Sequence, residues 1–187
     1  MTGSTPEPEA AYKKKTLADL KDRGKAPASK NVLDNWITVA SRETGVQAAR
    51  LRWTVASTVL IGAIQRARTE ADRPYFILKG GTYLQYRLNR PGRSTKDIDG
   101  IIDGDLDDFM DKLRTTLQRG WGGGLTFTIE KEEIIDAPKL VKPRRFRAKV
   151  SLKGVIWANI QIEISLQKAG PPIRTRRCLF RTSSSSA

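Results

Sequence analysis

The chain has no histidine and one cysteine, Cys178, in 187 residues. The first absence excludes a Ser-His-Asp triad, a histidine general base and any His-ligated metal centre. The second excludes an internal disulfide framework and a Cys-rich zinc site. Any metal must then be held by oxygen, which points to a hard ion such as Mg²⁺. No run of about 18 apolar residues is present, so no membrane-spanning helix is expected. No apolar run follows the basic Lys13-Lys14-Lys15, so no secretory leader is expected, and the expected compartment is the cytoplasm.

What is present is charge, unevenly placed. The chain carries 34 Lys+Arg against 20 Asp+Glu, net +14, with 39% hydrophobic residues, enough for a single domain with a core of its own. Residues 1–30 carry net +3, residues 31–138 balance to zero, and residues 139–187 carry net +11 around one acid, Glu163. A neutral body with a basic C-terminal third is the footprint of a polyanion binder, nucleic acid first. The plain alternative is a solvated basic face.

Residues 1–30 are polar and read as a flexible basic lead-in, with a short helix over Thr16–Arg23. Helical spacing of Val32, Leu33, Trp36, Ile37 and Ala40 predicts a helix that Gly45 stops. A second apolar stripe, Val46, Ala49, Trp53, Ala56, Leu60 and Ile64, predicts another helix. Tyr75–Leu78 reads as a buried strand, Thr82 as the cap of a short helix Tyr83–Leu88, and Asp97–Ile102 as a strand. Asp105 opens a helix that ends at Gly120, after which Gly122–Gly124 reads as a loop and Leu125–Glu130 as a strand. Phe146–Leu152 and Val155–Ser165 read as an antiparallel pair around Lys153-Gly154, and periodicity ends after Gly170-Pro171-Pro172. The expected class is α+β: two leading helices, then a small mixed sheet with flanking helices. The expected division is a lead-in at 1–30, a domain at 31–168, and an extended basic and Ser-rich tail at 169–187.

Two segments carry chemistry. Gly80-Gly81-Thr82 lies between a strand and a helix. Its glycines permit close approach of a ligand, and a helix start presents unpaired N–H groups, so the turn suits a phosphate; it also suits a tight turn and nothing more. Asp97 and Asp99 stand at i and i+2 of a strand and so project from one face, where like charges need a cation or solvent. A divalent ion with phosphate co-ligands fits; so does a solvent-exposed strand end. Glu163 adds a third acid, as a metal ligand, a general base, or the partner of Lys149 or Arg147 in a simple salt bridge.

Taken together, Phe76-Ile77-Leu78-Lys79-Gly80-Gly81-Thr82-Tyr83-Leu84 followed by Arg93-Ser94-Thr95-Lys96-Asp97-Ile98-Asp99 resembles the nucleotidyltransferase superfamily with the DNA polymerase β-like fold. Within it, the wording is similar to the AbiEii/AbiGii-type nucleotidyltransferase toxins, including the mycobacterial MenT group, over roughly residues 31–166. The resemblance implies a polymerase β-like core. It implies that Gly80, Gly81 and Thr82 hold the triphosphate of a nucleoside triphosphate, and that Asp97, Asp99 and Glu163 are the catalytic carboxylates and ligands of Mg²⁺. Glu163 stands where the family usually has aspartate. Lys79, Arg93 and Lys149 become phosphate contacts. The implied reaction is attack of a hydroxyl on the α-phosphorus with loss of pyrophosphate. The implied acceptor is RNA, the tRNA 3′ end foremost, and a cognate antitoxin protein restrains the activity.

Lys142, Arg144, Arg145 and Arg147 precede and enter a strand and are candidate RNA-phosphate contacts, against the alternative of a solvated loop. Trp36 and Trp53 are expected in the core. Trp121 is open between a base-stacking platform and a packing plug, and no role is expected for Cys178. Family members usually continue further past the third acid than this chain does, which reads as a shortened acceptor surface. Two rivals stand beside the toxin reading: an RNA-binding or catalytically degenerate protein of the same fold, and a nucleotidyltransferase with a non-RNA acceptor.

Overall fold

The computed structural model describes residues 15–88, 96–130, 132–135 and 143–166. The described chain runs α1 (Lys30–Thr44), α2 (Ala48–Ile64), β1 (Phe76–Lys79), α3 (Gly80–Leu88), β2 (Asp97–Ile102), α4 (Leu106–Gln118), β3 (Leu125–Ile129), β4 (Glu133–Ile134), β5 (Arg144–Leu152) and β6 (Val155–Leu166). This is the expected α+β arrangement, with two helices before the sheet. The sheet is mixed, in the order β1-β2-β6-β5-β3, with β4 also pairing β5. Only β2 and β6 run parallel; β1–β2, β5–β6 and β3–β5 are antiparallel.

Local chemistry explains the boundaries. Ser29 caps α1 by accepting from the Val32 N–H, and Gly45 ends it at φ 71°, a conformation that side-chain-bearing residues avoid. Asp105 caps α4, accepting from the N–H groups of Asp107 and Asp108. The β5–β6 hairpin turns at Lys153-Gly154, both at positive φ.

The strands alternate sharply. One sheet face presents Ile98, Ile102, Phe146, Ala148, Val150, Ile160, Ile162 and Ile164, all buried. Leu60, Ile61 and Ile64 of α2 and Phe109, Met110, Leu113 and Leu117 of α4 join them in one core. Each such side chain contributes about 1.5–3 kcal/mol on burial. α1 lies on α2 and is tied inward by Asp34, which accepts from Arg52 of α2 and from the indole N–H of Trp157 on β6, both at 2.9 Å. The other sheet face carries Asp97, Asp99, Glu163 and three β5 cations, Arg145, Arg147 and Lys149.

Four local expectations change. Only Leu17–Asp19 of Thr16–Arg23 is helical, as one 3-10 turn. α2 is not a one-stripe helix: Ala49 is exposed, while Leu51, Ser57, Ile61 and Ala63 are buried, because the helix is sandwiched between neighbours. Thr82 does not cap α3, which already begins at Gly80 and buries Thr82 completely. β4 has no counterpart in the predicted elements; two residues are too few to show a period.

Candidate active site

Register assembles the site. Lys79 on β1 lies opposite Asp99 on β2. Asp99 lies opposite Glu163 on β6. Glu163 lies opposite Arg145 on β5. One row across four strands thus reads cation, acid, acid, cation. The next row places Asp97 opposite Gln161, and Gln161 opposite Arg147. Asp97 and Asp99 share a face, as the i, i+2 spacing predicts, while Ile98 between them is buried.

The turn from β1 into α3 seals one end of this row. Gly80 has φ 67°. A Cβ there would stand 2.6 Å from Asp99 Oδ2, so only glycine lets the α3 N-terminus come this close to the carboxylate. The first-turn N–H groups of α3 carry the positive end of the helix dipole toward that acid. Thr82 Oγ1 donates to the Asp97 carbonyl at 2.9 Å. This hydroxyl fixes α3 to β2 from inside and is not free to face a ligand.

Asp99 is the electrostatic centre. Burial raises its pKa above the ordinary 3.8, the charges of Glu163 and Asp97 raise it further, and Lys79 opposes them. A carboxyl crowded by two others in a partly dry place is where a hard cation relieves the most repulsion. The Asp97–Asp99 pair therefore fits a divalent ion in its donor chemistry. The set of three does not assemble as it stands: among the described residues no three acids are grouped to hold a metal. Glu163 Oε1 accepts from Arg145 Nε at 2.9 Å and from Arg145 Nη2 at 2.6 Å. Lys79 Nζ donates to Ser165 Oγ at 3.0 Å.

A family model, "Nucleotidyl transferase AbiEii toxin, Type IV TA system", matches residues 63–178, which include the glycine turn, both aspartates and Glu163. The chain belongs to the AbiEii nucleotidyltransferase toxin family. No curated protein matches it. The protein is accordingly a nucleotidyltransferase and a toxin of a toxin–antitoxin system, a class that implies a cognate antitoxin. No helix among the described residues is long and apolar enough to cross a membrane.

The other predicted site residues fall in different places in this AbiEii-family chain. Lys149 stands on the open face but pairs with Glu130 at 2.7 Å. Arg144 is committed to Glu132 and Asp107, at 2.9 and 2.7 Å. Arg147 is the most open of the described basic cluster, 59% exposed, with Glu130 at 3.8 Å. Arg93 and Lys142 lie outside the described residues, as does Cys178. Glu163 does form a salt bridge, but to Arg145 rather than to Lys149 or Arg147. Trp121 is a packing plug: its ring fills the space beside Gly62, and Arg66 stacks on it at 4.2 Å. Trp36 and Trp53 pack against the core from partly buried positions, with Arg23 over Trp36.

Sequence reasoning missed Arg145 as Glu163's partner and Ser165 as Lys79's. Counting alternation back from Glu163 through the hairpin would have put Arg144 opposite it; the Val150/Ser151 register shift brings Arg145 there instead. Two grooves of about 740 Å³ each lie away from the aspartates, one between α4 and β3–β4, the other beside the loop before β1. Asp97 and Asp99 line neither.

Proposed function

We propose that this transferase moves a nucleoside monophosphate from a nucleoside triphosphate to an RNA acceptor, the tRNA 3′ end foremost, in a Mg²⁺-dependent reaction in the cytoplasm. The observation that supports it is the row Lys79–Asp99–Glu163–Arg145 at the N-terminus of α3, with Asp97 beside it on the same open face. Acids and cations meeting at a helix N-terminus suit a triphosphate and its counter-ion better than either suits a plain structural ion pair.

Asp97 and Asp99 would hold the Mg²⁺, with Glu163 as the third ligand. Bound there, the ion would supply charge neutralisation at the triphosphate and a lowered pKa for the attacking hydroxyl. The backbone N–H groups of Gly80, Gly81 and Thr82 cradle phosphate oxygens, and Lys79, Arg93 and Lys149 add positive charge. The chain's part in the reaction is mainly positioning and electrostatics, as phosphoryl transfer requires.

The position of the cations supports an RNA acceptor. Arg145, Arg147 and Lys149 run along β5 on the face that carries the aspartates, and Lys142 and Arg144 flank them in sequence. Incubation with each labelled nucleoside triphosphate, Mg²⁺ and total RNA, resolved on a gel, tests the proposal. Label in a tRNA-sized band is expected, and loss of it with Asp97→Ala. Binding of RNA by both proteins with label in neither would favour a degenerate RNA binder; label in a small molecule or a protein would replace the acceptor.

A further inference from the structure

Glu163, like Asp99, has an acid on one side and a cation on the other, but its cation bonds it, whereas Lys79 opposite Asp99 bonds Ser165. Asp99 faces it from the parallel neighbour and Arg145 from the antiparallel neighbour. Repulsion from Asp99 and attraction to Arg145 push the carboxylate the same way, toward β5. Arg145 holds it with two N–H donors on a single oxygen, Oε1. Glutamate is long enough to reach to either side of its strand. The remaining cations of this face are engaged elsewhere: Lys79 with Ser165, and Lys149 and Arg147 with Glu130. The Arg145 and Glu163 side chains are 40% and 29% exposed, so either can swing without opening the core.

We propose that Arg145 is a latch, a positioning residue that occupies the Glu163 carboxylate until a divalent cation replaces the guanidinium as its counter-charge. The inference rests on the metal reading of the proposed function and goes beyond it. The cation and Arg145 compete for one carboxylate, so metal binding must break a charge-assisted hydrogen-bonded pair. Release of Glu163 at the same moment frees a guanidinium with five donors on the face where substrate phosphates would lie.

Calorimetric titration with Mn²⁺ alone, without nucleotide, tests the latch. Wild type, Arg145→Gln, Arg145→Lys, Glu163→Gln, Asp99→Asn and the Arg145→Gln/Glu163→Gln double variant are compared, each shown to be folded by circular dichroism. Arg145→Gln is expected to bind Mn²⁺ roughly 2- to 5-fold more tightly, the scale of a partly exposed ion pair. Arg145→Lys, which keeps the charge but not the fork, should tighten binding less. The Arg145→Gln gain should not survive in the Glu163→Gln background, a dependence that a merely structural arginine would not show. Should Arg145→Gln fail to fold, Arg145→Lys carries the test alone. Asp99-dependent Mn²⁺ binding that is unchanged or weakened by Arg145 substitution would overturn the latch and leave the metal site standing. Binding that ignores Asp99 in every variant would overturn both.

Discussion

Gly80→Ala and Gly81→Ala add one methyl group to adjacent residues, and their effects on stability should have opposite signs. Gly80 sits at φ 67°, a conformation that costs an L residue about 1–2 kcal/mol. The new Cβ would also lie 2.6 Å from Asp99 Oδ2 and 3.3 Å from Asp99 Cβ. The carboxylate must then move by several tenths of an ångström, against a short side chain with little slack. Strain and contact together come to about 1–3 kcal/mol, which for a chain of this size lowers Tm by roughly 3–10 °C. Gly81 is exposed, is not among the glycines with positive φ, and lies in the first turn of α3. Alanine there restricts the unfolded chain and favours helix, so a gain of about 0.4–1 kcal/mol and a Tm rise of about 1–3 °C is expected. Thermal melts followed by circular dichroism in EDTA measure both. Shifts of the same sign and size in the two variants would refute the role given to the left-handed Gly80.

Asp34→Ala should cost about 2–3 kcal/mol, because it leaves the 4%-exposed Trp157 indole N–H and two cations without their acceptor; Asp34→Asn, which keeps an acceptor oxygen, should cost less in the same melts. Burial alone would raise the Asp34 pKa, but hydrogen bonds from Lys30 and Trp157 and the charge of Arg52 hold it below 3.8, so its contribution is present above pH 3.8 and fades as pH falls through the folded value. Asp99 has the reverse sign. Its raised pKa means that the folded protein loses stability as pH rises from 3.8 through the folded value, so in EDTA Asp99→Asn should be more stable than wild type at pH 7, with the difference gone below about pH 3.8. Arg147→Gln should weaken RNA binding and reduce the salt slope of log K by about one; an unchanged slope would mean that RNA does not cross this face.

Much of the site was legible because its chemistry is local. Asp97 and Asp99 needed only a strand's period of two, and Gly80 needed only its place between a strand and a helix. α1 and α4 announced themselves through Gly45 and Asp105, whose capping is written within a few residues. What was not legible depends on long-range pairing. The row from Lys79 to Arg145 is set by three strand registers, with Lys79 and Arg145 66 positions apart in the chain numbering. Glu163 could be seen as an acid on the right face but not as one held by Arg145. Thr82 carries a hydroxyl suited to a phosphate, yet its orientation follows from how α3 docks on β2, and that docking aims it at a backbone carbonyl. α2 defeated the stripe reading because a helix covered on several sides has no single apolar face.

The central claim is that the Asp97–Asp99 face transfers the α-phosphoryl nucleotidyl unit of a nucleoside triphosphate. The most direct measurement is parallel incubation of wild type and Asp99→Asn with RNA and the same nucleoside triphosphate labelled at either the α- or the γ-phosphate. The account predicts label in RNA from the α-position only, with labelled pyrophosphate released from the γ-position, and neither with Asp99→Asn. Transfer of γ-label to RNA, or undiminished α-label transfer by Asp99→Asn, would contradict it.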